Sequence, residues 1–108
     1  MARDALLACM VQDALAAAIR ERRMVAFRYA GRRRVVEPHT RGLLRGEPRL
    51  LAFQTGGESA SGPLPEWRLF SVAKIEGFET LPARFGPRPP REGEHVRWER
   101  VDAFVPSP

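Results

Sequence analysis

The chain has 108 residues, enough for one domain with a modest core, and at 44% hydrophobic and 29% charged it is globular rather than disordered. No apolar run approaches the roughly 20 residues that span a bilayer, and no early apolar stretch ends in a small-residue cleavage site, so neither a membrane span nor a signal peptide is expected. The net charge of +5 rests on 17 Arg and one Lys, and its surplus falls in residues 1–54, where an anionic partner or a GC-rich genome would each account for it.

Apolar residues at Leu7, Met10, Val11, Ala14, Leu15, Ala18 and Ile19 form the i, i+3, i+4 stripe of an amphipathic helix from Asp4 to about Arg22. Asp4 reads as its N-cap, and Arg20, Arg22 and Arg23 suit the negative end of its dipole. After Arg23 the period changes to two. Val25, Phe27 and Tyr29 give a strand, Ala30-Gly31 turns the chain, and Arg34 to Glu37 gives the return strand, which Pro38 is expected to stop. Leu43-Leu44 and Leu50 to Phe53 flank Gly46-Glu47-Pro48, as a hairpin or as one long strand pair. Gln54 to Glu66 is rich in Gly, Ser and Pro and reads as a loop. Trp67 to Val72 and Ile75 to Leu81 are two more strands. A Pro-rich connector over Phe85 to Gly93 precedes a last strand within Val96 to Val105. The reading is one α+β domain, 1–108, mainly β: an N-terminal helix in 1–23, a small antiparallel barrel or strongly curved sheet of about five strands in 24–81, and an arm with a C-terminal strand in 82–108. Leu7, Val11, Leu15 and Ile19 are expected to pack on Phe27, Phe53 and Phe70.

One strand poses a chemical question. In Trp67-Arg68-Leu69-Phe70-Ser71-Val72, Arg68 shares a face with Phe70 and Val72, and a core on that side would place an arginine at its entrance. The opposite register buries Trp67 and Leu69 and leaves Arg68 in water. Periodicity leaves both open.

The order of helix, Val25-x-Phe27-x-Tyr29, Val36-Glu37-Pro38, Leu50-x-Ala52-Phe53 and Arg68-x-Phe70 followed by Lys74-Ile75 resembles the WYL domain over residues 11–85. The triplet that gives that family its name falls on Pro48-Arg49-Leu50, which keeps only the Leu. The resemblance implies an Sm-like small β-barrel. It also implies a bacterial regulatory module that senses ligands, in some members single-stranded nucleic acid, through a basic polar groove with an Arg at the position of Arg68. Residues 1–23 supply one helix and no helix-turn-helix, so sequence-specific control of transcription by this chain alone is not expected.

On this reading the ligand-binding candidates are Arg68, Arg41, Arg49, His39 and Lys74, with Gln54, Gly56, Gly57, Ser59 and Ser61 on the glycine-rich loop. A planar guanidinium grips phosphate or carboxylate through two parallel hydrogen bonds. Each candidate has a plainer use. His39 is more commonly satisfied by backbone, the run Arg32-Arg33-Arg34 is by default solvated, Trp67 is more often core than a stacking platform, and Cys9 reads as a buried inert thiol. The lone cysteine points to the cytoplasm, and Cys9, His39 and His95 are too few for a metal site, so no metal or cofactor is expected. No nucleophile has a base at telling spacing, so the chain is not expected to be an enzyme. The expected function is non-catalytic binding of an anion, a nucleotide or single-stranded nucleic acid. The alternative is a structural or protein-interaction domain that forms a homodimer or docks a partner regulator.

Overall fold

Alanine-rich helix propensity runs out at Arg22, and there the chain turns into a sheet. In a computed structural model, which describes residues 2–58, 64–88 and 96–106, helix α1 spans Ala2–Glu21. Arg22 ends it with a φ of 56° and donates its N–H to the Ile19 carbonyl, a left-handed closing residue of the usual kind. Asp4 therefore lies inside the helix rather than at its cap. Cys9 is exposed, not buried.

Six strands follow: β1 Arg23–Tyr29, β2 Arg32–Leu44, β3 Glu47–Gly57, β4 Glu66–Ser71, β5 Glu76–Arg84 and β6 Arg100–Phe104, with a 3-10 turn at Val72–Lys74 between β4 and β5. They form one antiparallel sheet in the order β4-β3-β2-β1-β5, with β6 added to β2. The first two hairpins turn on Ala30-Gly31 and Arg45-Gly46, all four residues at positive φ, the type I′ geometry whose twist matches that of the strands. The expected barrel closure is absent among the described residues, where β4 and β5 are the two ends of an open sheet. No helix among those residues is long and apolar enough to cross a membrane.

Pro38 does not stop β2, for a reason the pairings make plain. The ladder to β1 ends at Val36, and the ladder to β6 begins at Thr40. Pro38 sits in the gap between them, opposite Ala52 and beside a bulge in the β3 ladder, where its missing N–H breaks no ladder. One strand thus serves two partners on one edge and β3 along the other.

α1 lies against β1, β2, β5, β6 and the 3-10 turn. Leu15, Ala18 and Ile19 meet Val25, Phe27, Val36, Leu50, Phe70, Val72, Ile75, Ala103 and Val105 in a single core, with Val11 packed at its margin. Phe53 was expected there and is on the other face, where it stacks edge-on with Trp67. Leu7 belongs to the first eight residues, whose side chains lie outside those described.

Gly42 pairs with Val101 of β6. A Cβ there would collide with the Arg100 carbonyl oxygen and press on the Trp98 ring. Gly42→Ala should therefore loosen β6 and cost about 1–3 kcal/mol, as overpacking usually does. A lowered urea midpoint checks it. An unchanged midpoint would mean that β6 shifts at no cost.

Candidate anion site at the end of the core

The β3–β4 register settles which way Arg68 points. Arg68 pairs with Ala52 and Phe70 with Leu50, and Ala52, Leu50 and Phe70 are all buried while Leu69 is exposed. Arg68 therefore lies on the core face with Phe70, at the end of the sheet where apolar residues give way to polar ones. Gln54 is the next residue on that face of β3, and Arg34 lies on β2 opposite Phe27 and Gly57.

Arg34 was expected to be solvated as one of three consecutive arginines. It is 6% exposed. Its guanidinium donates at 3.4 Å to Gln54 Oε1 and at 3.3 Å to the Tyr29 carbonyl, and its carbon lies 5.7 Å from the Tyr29 ring centre and 6.0 Å from that of Phe70. Its Nε has no hydrogen-bond partner among the described residues. Gln54, fully buried, spends its amide N–H groups on the carbonyls of Gly56 and Glu58, which turns its oxygen toward Arg34. Tyr29 holds the far side by accepting the Ser71 N–H. Burial pushes the Arg34 guanidinium below its ordinary value, followed by the charges of Arg68 and Arg32, with Tyr29 and Glu58 acting the other way. An arginine remains protonated through such a shift. The result is a fixed positive charge at the edge of an apolar core, close to a second guanidinium, and its hydrogen bonds among the described residues go to neutral acceptors.

The other candidates do not join this site. Arg41 donates to the Gln12 carbonyl of α1 and pairs with Asp102 of β6, whose carboxyl Arg100 first, and Arg41 after it, hold below the usual range. Arg49 pairs with Glu47. Lys74 is exposed on the 3-10 turn. Gly56 and Gly57 are not loop residues: they pair with Val35 and Arg34 as the end of β3, and a Cβ at Gly57, whose φ is 82°, would strike the Arg33 carbonyl. Ser59 and Ser61 lie outside the described residues.

His39 belongs to the opposite face. It is buried between the rings of Trp67 and Phe85. Its Nδ1 lies 2.9 Å from the Glu37 carbonyl, so Nδ1 carries the proton and donates, while Nε2 accepts the Arg88 N–H at 3.4 Å. Burial holds its pKa below the ordinary value, with the Glu37 carbonyl opposing and Arg88 adding slightly. Beside it Arg88 grips the buried Glu37 carboxylate with two hydrogen bonds, of 2.6 and 3.2 Å, and lies over the Phe53 ring. This cluster fastens residues 85–88 to the sheet, and its acid is already paired.

Sequence reasoning missed Arg34 and Arg88. Arg34 left a signal, since it is in phase with the buried Val36 while Arg33 before it and Val35 between them are less buried. Arg88, inside a Pro-rich connector, left none. Among the described residues no three His, Cys, Asp or Glu side chains gather as a metal ion would need. Compared with protein-family models, with curated proteins and with solved structures, the chain matches none.

Proposed function

We propose that the chain is a non-catalytic, WYL-like regulatory module that binds an anionic ligand, a nucleotide or single-stranded nucleic acid, at Arg34 and Arg68. The observation that carries this is the burial of Arg34 with no carboxylate hydrogen-bonded to it among the described residues. Burying a charge is costly unless an opposite charge compensates it, whereas Arg41, Arg49, Arg88 and Arg100 each hold an acid of this chain. An anion bridging Arg34 and Arg68 would supply the compensation. An Sm-like barrel is consistent with the leading helix, the β1–β4 meander and the return of β5 to β1, and its closure would bring the edge of β4 to that of β5.

The test is a titration of a short single-stranded oligonucleotide and of a mononucleotide across a salt series. Arg68→Ala and Arg34→Lys should each weaken binding about ten- to a hundredfold, the worth of one charged hydrogen bond. Affinity for a strand should fall steeply with salt as counterions are released. Unchanged affinity in both folded variants would remove these arginines from the site.

A second reading, a protein-interaction domain that forms a homodimer, draws on β6. Val101 and Phe104 are 44% and 59% exposed and flank a shallow apolar hollow with Thr40 and Trp98. On that reading light scattering gives a dimer at micromolar concentration and Phe104→Ser gives a monomer. A native monomer throughout that range overturns it.

A further inference from the structure

At the tip of the β2–β3 hairpin, on the face of β4 turned away from the core, lies an open hollow of about 760 Å³ lined by Leu44, Leu69 and Val96 together with Arg45, Arg49 and Arg97. Sites for small molecules commonly fall between about 300 and 1,000 Å³. One wall is the segment that leads into β6, and it is fastened to the hairpin through Glu99. The Glu99 N–H donates to the Leu43 carbonyl at 2.9 Å, and Glu99 Oε1 accepts the Gly46 N–H at 2.7 Å. Trp98 reaches into the space that Gly42 leaves by having no side chain. Leu69 is 42% exposed, a large apolar side chain facing the hollow rather than the core.

The charges around this apolar floor do not balance. Arg49 is answered by Glu47, and Glu99 is turned toward the hairpin. Arg45 and Arg97 are exposed and have no ion pair among the described residues. Arg45, Arg49 and Arg97 against Glu47 and Glu99 leave a surplus of one positive charge. We infer that the hollow is a second binding site, separate from Arg34 and Arg68, for a small amphipathic acid: an apolar body on Leu44, Leu69 and Val96, and one carboxylate between Arg45 and Arg97. A guanidinium presents paired donors that match a carboxylate. One negative charge cancels the surplus, and the apolar body displaces water from Leu69.

The test uses the fluorescent dye anilinonaphthalene sulfonate, an apolar body with one negative charge, and its neutral counterpart phenylnaphthylamine. The native protein is expected to bind the anionic dye at one site and the neutral one at least about fivefold more weakly, for the loss of the charge contacts. Decanoate should displace the dye, and decanol, with the same tail and no charge, should do so poorly. Arg45→Gln and Arg97→Gln should each weaken dye binding about twofold to fivefold, as for an exposed ion pair. Leu69→Asp should weaken it at least about tenfold, since it removes an apolar contact and adds a like charge. Circular dichroism checks each fold. Arg84→Gln removes the same charge from β5, at the other end of the sheet, and should change nothing. Equal binding of the two dyes, or dye binding that none of the three variants of the hollow alters, would overturn the inference. Dye binding that weakens as protein concentration rises through the micromolar range would name a second copy of the chain as the occupant and overturn it as well. None of these measurements involves Arg34 or Arg68, so failure here is distinct from failure there.

Discussion

Phe70→Ala should lower the stability of the protein by about 3–5 kcal/mol, the usual cost of emptying a buried aromatic site. Phe70 is 2% exposed and meets Phe27 and Tyr29 edge-on, with ring centres 5.1 and 4.9 Å away. Such pairs add about 0.5–1.5 kcal/mol beyond the area they bury. The same ring also lies beside the Arg34 guanidinium, so the variant loosens the packing around that side chain. Small domains hold only about 5–15 kcal/mol in all, which makes this substitution a large fraction of the total. Denaturant unfolding measures it, and a loss under about 1 kcal/mol would mean that neighbouring side chains collapse into the space.

Arg88→Ala should cost about 2–3 kcal/mol, because it leaves the Glu37 carboxylate buried without its partner. The figure sits at the lower end for such pairs because the Arg88 side chain is 47% exposed while that of Glu37 is 6%. Adding Glu37→Gln should recover part of the loss, and a double-mutant cycle isolates the pair from the packing of Arg88 on Phe53. Strict additivity would show that the two hydrogen bonds contribute nothing. The same attachment has a pH dependence with a definite sign. His39 is neutral in the folded protein, its pKa below the ordinary value. The unfolded chain takes up the proton first, near pH 6.5, so stability contributed by His39 is complete above that pH and declines as pH falls toward the lower folded value. Protonation at Nε2 would also end its acceptance of the Arg88 N–H. His39→Gln should flatten this acid-side slope.

Periodicity carried the sequence reading a long way for α1 and β1, because Leu15, Ile19, Val25 and Phe27 repeat at the spacing of one buried face. It failed at Pro38, where the local rule was sound but the backbone happened to need no donor, a fact set by the pairings of β1 and β6 from opposite ends of the chain. It left Arg68 undecided, since both faces of β4 carry apolar residues, and only pairing with Ala52 resolves the direction. Gly56 and Gly57 looked like a loop because glycine signals one, yet both pair with β2, and the missing side chain of Gly57 lets β3 run on beside it. At the candidate site Arg34 was hidden by its neighbours. A run of three arginines invites a single treatment, and alternation assigns them to different faces.

The long β2 strand has a consequence for how the molecule opens. From Arg34 to Leu44 nearly every residue is held from β3, and most of that span is held again by β1 or by β6. Releasing β2 as a whole requires two ladders to part, whereas among the described residues the outer amides of β5 face no strand on one side. Fluctuations should therefore begin at the sheet's ends and reach the middle last. Arg34, near the start of β2 and paired there with both β1 and β3, is therefore expected to open late.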